Sequence, residues 1–290
     1  MISKRDQEGN LRSVDMAKKK RRIHYRQGDE IDAMRTAGHL AAEVLRETAK
    51  LVVAGVSTGE IDEAAGLLMK EKGCRSAFLG YRNFPGQTCI SLNEEVVHGI
   101  GSRERIISPG DLVKIDVGIV TDDGWVGDNA MTVPVGDVSS EALRLMYATE
   151  ECLEVAIRHA YSGRRLAEMC ASVEDCAISY GFTVVREMVG HGVGRDLHEE
   201  PQVPNYWDRF TMGQGPKLAP GMILAVEPMI NAGVPEIRIL SDNWTVVTQD
   251  KKLSGHFEHT VLITDGEPEI LTPRARLISK EMLGGFDKSS

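Results

Sequence analysis

Four carboxylates and one imidazole stand at positions where an isolated polar group is hard to keep. Asp116 follows Leu112-Val113-Lys114-Ile115, Glu227 follows Ile223-Leu224-Ala225-Val226, and Glu258 lies within the apolar run His256–Ile263. Such runs read as buried strands, in which an ionised side chain needs a partner. Alternation places His256, Glu258 and Thr260 on one strand face and Phe257, His259 and Val261 on the other. Asp122-Asp123-Gly124 is a turn signal, so Ile119–Gly127 folds back as a hairpin and sets Asp128, at the start of the returning strand, beside Asp116. Asp122 and Asp123 themselves read as solvated turn residues.

An internal repeat relates these acids. Val97-His98-Gly99-Ile100-Gly101 is echoed by Gly190-His191-Gly192-Val193-Gly194. Pro109-Gly110, followed six residues after the glycine by Asp116, is echoed by Pro220-Gly221 and Glu227. A pseudo-twofold fold with its site on the axis follows from this order. Asp116, Asp128, Glu227 and Glu258 would then converge. Like charges ~4 Å apart repel by about 1 kcal/mol in water and about 4 kcal/mol at an effective dielectric of 20. Two divalent cations would neutralise four carboxylates. With His191 added, the oxygen-and-imidazole donor set suits Mn, Fe, Co or Zn better than Ca or Mg.

The elements that must position these residues come in two matching sets. Ile31, Met34, Leu40, Val44, Leu45 and Leu51 mark a first helix from Asp29, ended by Gly55; Ser57-Thr58-Gly59-Glu60 reads as the capping box of a second, running to about Gly73. Strands follow at Thr88–Leu92, Leu112–Val117 and Ala130–Pro134. A second helical pair covers about Ser139–Tyr161 and, past Ser162-Gly163, continues to Gly181. Strands return at Phe182–Arg186, Ile223–Val226, Ile237–Leu240, Trp244–Thr248 and His256–Ile263.

Composition bounds the partners. The chain has 290 residues and a net charge of −9, which argues against a protein-wide grip on nucleic acid. Residues 1–26 carry nine Lys/Arg against three acids, so a +6 arm precedes a −15 body. This arm reads as flexible and dispensable for peptide chemistry, with Lys18, Lys19, Lys20, Arg21 and Arg22 able to touch an RNA surface such as the ribosome. Residues 27–280 read as one catalytic domain and 281–290 as a frayed tail. Cys74, Cys89, Cys152, Cys170 and Cys176 form no C-x-x-C pair, so neither a disulfide framework nor a zinc ribbon is indicated. No run approaches the ~18–20 apolar residues of a membrane span, and no secretory h-region opens the chain, so the cytoplasm is expected.

In this order the five residues resemble the ligand set of the methionine aminopeptidase and prolidase clan, the pita-bread fold. The stretch Tyr81–His98, Gly190–Gly194, Leu197-His198 and Glu258-His259-Thr260 are similar to the type I methionine aminopeptidase motifs, and the resemblance spans roughly residues 27–275. Only 28 residues separate His198 from Glu227, without the large insertion of the type II enzymes. The resemblance implies an α+β fold in which an antiparallel sheet is flanked by two pairs of helices. It implies a monomeric exopeptidase that removes the initiator methionine of nascent polypeptides when the next residue is small. Asp116 would hold one metal ion, His191 and Glu227 the other, with Asp128 and Glu258 bridging. Glu227 would also carry the proton, His198 would bind the substrate carbonyl, and His98 the scissile nitrogen. Tyr81, Phe84, Cys89 and Trp244 match the methionine pocket. An X-Pro aminopeptidase of the same clan and a non-catalytic binding protein of the same fold are the alternatives.

The chain departs from the family's pattern in places. The Asp116–Asp128 hairpin is one residue longer than in bacterial type I enzymes, and Asn129 stands where Thr or Ser is usual. Phe78 replaces a smaller residue, Arg82 a His, Leu197 a Phe, and His256 a Gln.

Overall fold

The computed structural model describes residues 22–283. In the first half, helices α1 (Asp29–Ala49) and α2 (Thr58–Glu71) lead into β1 (Cys74–Ser76), β2 (Cys89–Leu92), β3 (Glu95–Val97), β4 (Leu112–Thr121) and β5 (Val126–Pro134). In the second, α3 (Ser140–Arg158) and α4 (Leu166–Ser179) lead into β6 (Thr183–Val184), β7 (Gly190–Gly192), β8 (Glu199–Val203) and β9 (Ile223–Val226). The chain continues through β10 (Met229–Asn231), β11 (Ile237–Ile239), β12 (Val246–Thr248), β13 (Ser254–His256), β14 (His259–Leu262) and β15 (Glu269–Ile270). The paired strands are antiparallel, and the expected sheet is divided into hydrogen-bonded segments of four, three, three and five strands. Two helix pairs and two strand sets make the pita-bread fold. No described helix is long and apolar enough to cross a membrane.

Local signals account for the helices. Asp29, Glu30 and Asp32 in the first turn of α1 and Arg46 in its last complement the helix dipole, while Met34, Ala37, Ala41, Val44 and Leu45 form its buried face. At α2 the capping box is present: Glu60 N–H donates to Ser57 Oγ at 3.2 Å and Ser57 N–H to Glu60 Oε2 at 2.9 Å. Gly127, beside Asp128, lets α1 lie directly on β5, because a Cβ there would stand 2.6 Å from the Ala37 carbonyl carbon.

Both hairpin strands are longer than expected. β4 continues past Val117 to Thr121, and β5 starts at Val126 rather than Ala130. Asp122-Asp123-Gly124 makes the turn, with Gly124 at φ +84. In the register, Asp116 faces Ala130 and Asp128 faces Gly118. The two aspartates therefore share a face but sit diagonally, not side by side as expected, because the pairing is centred on Asp123 rather than on Asp122, their midpoint.

The expected strand His256–Ile263 is broken at its centre. β13 ends at His256 and pairs with β10, β14 begins at His259 and pairs with β9, and Glu258 occupies the crossover between the two segments. Its N–H donates to the Ala130 carbonyl at 2.9 Å. Two hydroxyls continue this seam between the halves: Thr132 donates to the His256 carbonyl at 2.8 Å and Thr260 to the Asp128 carbonyl at 2.7 Å. His256, Glu258 and Thr260 thus face the first half as alternation required. On the other face His259 Nδ1 meets the Thr272 hydroxyl at 3.0 Å.

Lys114 adds a tie across the halves. It is 1% exposed, and its Nζ donates to the carbonyls of Asn93 at 2.7 Å and Ser254 at 3.1 Å. Burial pushes its pKa down to about 7.

Residues 23–26, assigned to the arm from the sequence, pack on the body. Ile23 bridges to Glu200, Arg26 N–H donates to the Gly221 carbonyl at 2.7 Å, and the Arg26 side chain is buried against Glu199. Composition alone made these residues look like part of the arm, because a buried cation is invisible until its partner is known. Lys18, Lys19, Lys20 and Arg21, and the tail from residue 284, lie outside the described residues; Arg22 is exposed.

Candidate metal centre

β4 and β5 bring in Asp116 and Asp128, β7 carries His191, Glu227 follows β9, and Glu258 sits at the crossover before β14. All five line one cavity of about 220 Å³. Ligand atoms of Asp128, His191 and Glu258 lie within 4.8 Å of one another. His191 Nε2 stands 3.4 Å from Glu227 Oε1 and 3.8 Å from Asp128 Oδ2.

Burial, and then the charge of Asp128, holds the Asp116 carboxyl well above its ordinary range. Burial raises Asp128 to about 7. Glu227 and Glu258 are likewise held well above the carboxylate range, by burial first and then by their acidic neighbours. Asp116 Oδ1, Asp128 Oδ1 and Glu258 Oε1 are buried without a hydrogen-bond partner among the described residues.

His191 Nδ1–H donates to the Gly192 carbonyl at 2.9 Å, which leaves the Nε2 lone pair aimed at two carboxylates. Burial lowers its pKa to about 4, so it is neutral at pH 7. A lone pair and several carboxylate oxygens facing one point repel unless a cation stands between them. The residues present fit a divalent metal.

Tyr81, Phe84, Cys89, His98, His198 and Trp244 all line the cavity. The Tyr81 hydroxyl meets His198 Nδ1 at 2.8 Å, and the His198 ring lies 4.2 Å from that of His191, centroid to centroid. His98 takes a left-handed backbone, φ +59, and presents its ring edge-on to Trp244 at 6.0 Å. Burial lowers its pKa to about 4. Cys89 pairs with Asp116 in register, and burial followed by the Asp116 charge keeps its thiol protonated.

Of the departing residues, Phe78, Arg82 and Leu197 line the cavity, and His256 stands behind it with Nε2 3.7 Å from Glu227 Oε2. Both His256 nitrogens lack a hydrogen-bond partner among the described residues. The Glu227 carboxylate is thus flanked by two imidazoles. Sequence reasoning missed Val97, Glu187, Met188, Val189 and Met229 as lining residues. The two methionines add polarisable wall, and no local signal separates them from ordinary core.

The chain is similar to known metallopeptidases over most of its length. A methionine aminopeptidase of Clostridium acetobutylicum is 42% identical over 243 residues, covering 84% of this chain and 96% of the relative. The methionine aminopeptidase of Escherichia coli K12 is 44% identical over 253 residues, 87% of this chain and 94% of that one. The crystal structure of a methionine aminopeptidase from Thermotoga maritima superposes with a TM-score of 0.84 at 41% identity, covering 87% of this chain and all of that one. The profile of metallopeptidase family M24 matches residues 32–265, and the chain belongs to that family.

Proposed function

We propose that the protein removes the N-terminal methionine of polypeptides whose second residue is small, by hydrolysis assisted by two divalent ions of Mn, Fe, Co or Zn. The observation that carries this reading is the buried set of four carboxylates and one neutral imidazole in a cavity walled by aromatic and sulfur-containing side chains. The printed names of the relatives point the same way.

Asp116, Asp128, His191, Glu227 and Glu258 would hold the ions between them. Such ions supply Lewis-acid polarisation of the scissile carbonyl and activation of the attacking water. The chain's own groups supply the rest. Glu227, ionised once cations offset its acidic neighbours, would accept the proton of the attacking water and return it to the leaving amine. In the tautomer whose Nδ1 accepts the Tyr81 hydroxyl 2.8 Å away, His198 would offer its Nε2–H to the substrate carbonyl as negative charge develops. His98, neutral at pH 7, takes the scissile nitrogen. Tyr81, Phe84, Cys89 and Trp244 form an apolar, soft-walled pocket for the methionine side chain. His256 stands behind the Glu227 carboxylate, with Nε2 3.7 Å from Oε2.

The same reading has the enzyme act as a cytoplasmic monomer on nascent polypeptide N-termini. The five-residue cationic run Lys18–Arg22 would touch ribosomal RNA, and its charge is what supports this. The deciding experiment is hydrolysis of Met-Ala-Ser, Met-Gly and Ala-Pro peptides by chelated protein supplemented with each metal in turn. Metal-dependent cleavage after methionine alone supports the reading. Cleavage of only the Ala-Pro peptide, or none with any metal, overturns it.

A further inference from the structure

Glycine at 118 is unexpected in the middle of a ten-residue buried strand, where a missing side chain weakens packing. The space it leaves is filled from the neighbouring strand: Ser76 of β1 pairs with Ile119, and the Ala77 N–H donates to the Gly118 carbonyl at 2.9 Å. A Cβ placed on Gly118 would stand 2.8 Å from Phe78 Cζ and 3.0 Å from Phe78 Cδ1, inside van der Waals contact. Gly118 lies directly across from Asp128 and two residues after Asp116, so the ring covers the strand face that carries both carboxylates.

Phe78 is firmly held. It is 8% exposed, and its N–H donates to Ser76 Oγ at 3.0 Å, which itself donates to the Gln87 carbonyl at 2.6 Å. Its ring meets Phe84 edge-on at 6.5 Å and Phe84 meets Trp244 at 5.1 Å, so a continuous aromatic wall runs from Gly118 to the middle of the cavity. Aromatic rings offer large area with few rotamers, which makes such a wall slow to yield.

We infer that Phe78 and Gly118 act as one specificity-determining pair: the missing side chain at 118 admits the Phe78 ring, and the ring sets the upper size of the N-terminal side chain that the cavity accepts. This rests on the aminopeptidase reading of the same site. A ring at 78 and any larger residue at 118 exclude each other, so each is meaningful only with its partner. One methylene beyond the limit meets a wall that cannot shift without repacking, and such differences discriminate by roughly 10–200-fold.

The test compares Met-Ala-Ser with ethionine-Ala-Ser, whose N-terminal side chain is one methylene longer. Wild type, Phe78→Ala, Phe78→Leu, Gly118→Ala and the Phe78→Ala/Gly118→Ala double variant are each assayed with metal and checked for native circular dichroism. Phe78→Ala is expected to raise the ethionine-to-methionine ratio of kcat/KM about tenfold or more. Phe78→Leu, which keeps apolar bulk should the smaller residue unfold the chain, should move the ratio the same way by less. Gly118→Ala alone should cut kcat/KM on Met-Ala-Ser about tenfold by driving the ring into the cavity, and the double variant should recover it. An unchanged ratio in a folded Phe78 variant overturns the size limit, and a double variant no better than Gly118→Ala overturns the pairing. A wild type that cleaves neither peptide removes the aminopeptidase reading itself, and this inference with it.

Discussion

The hydroxyl of Thr260 donates to the carbonyl of Asp128 at 2.7 Å and accepts the N–H of the same residue at 3.3 Å, so one side chain does the work of a strand rung between the two halves of the molecule. Glu258 bonds Ala130 and His256 bonds Thr132 in the same antiparallel sequence, which places the Asp128 and Glu258 carboxylates by a seam built from both halves.

Thr260→Val keeps the shape of the side chain but leaves buried polar groups of Asp128 unpaired. The expected cost is about 1–3 kcal/mol of stability. In urea the midpoint should fall with an unchanged slope. A midpoint equal to wild type would mean that the seam does not bear on the fold.

The metal-free protein should lose stability as pH rises. Unfolded carboxylates titrate near 4, while Asp128 is raised to about 7 and Asp116, Glu227 and Glu258 are likewise raised well above their ordinary range. Between those values the native state binds the extra protons, so the stability they lend is complete below about 4 and disappears as pH climbs through the folded values. His98 and His191, lowered to about 4, and His256, lowered to about 3, work in the opposite sense, but only up to about 6.5. Above 7 the lowered Lys114 opposes the trend by a single proton. From pH 6.5 to 8 the carboxylates therefore prevail. Thermal melts of chelated protein should show a falling Tm across that window, and added Mn²⁺ should raise Tm more at pH 8 than at pH 6.5. A Tm that rises with pH in the chelated protein would refute the buried-acid account.

Substitutions at the centre should separate metal holding from chemistry. Glu227→Ala should abolish turnover without unfolding the chain, since it removes one of several repelling acids. His198→Ala should retain its metal by elemental analysis yet lose on the order of 10²–10³ in kcat/KM, the usual loss for one donor to a developing oxyanion. Turnover near wild type in either variant would remove the role assigned to that side chain.

Truncation should have a sharp edge between residues 21 and 26. Arg26 donates twice to Glu199, at 2.6 and 2.7 Å, next to His198, and its guanidinium lies 5.2 Å from the Trp125 ring at the tip of the Asp116–Asp128 hairpin. Starting the chain at residue 22 should leave cleavage of short peptides intact. Arg26→Ala, which leaves Glu199 with only the N–H groups of Arg195 and Asp196 as donors, should destabilise by about 1–3 kcal/mol and lower turnover. Equal melting temperatures for Arg26→Ala and wild type would count against this tie.

Much of the centre was legible in the residues themselves. An acid at the end of an apolar run is expected to be buried, buried acids that converge need protons or cations, and the paired Pro-Gly and His-Gly motifs indicate which ones converge. Period-two alternation assigned His256, Glu258 and Thr260 to one face correctly, and Ser57 with Glu60 announced the start of α2. These are short-range consequences of chain geometry, which act whatever the rest of the chain does. Tertiary structure alone decided the diagonal offset of Asp116 and Asp128, the crossover at Glu258, the burial of Arg26 and the seating of Phe78 on Gly118. Each of those depends on the register or fit between segments far apart in the chain. Such matching is settled by packing, which no local window of residues contains.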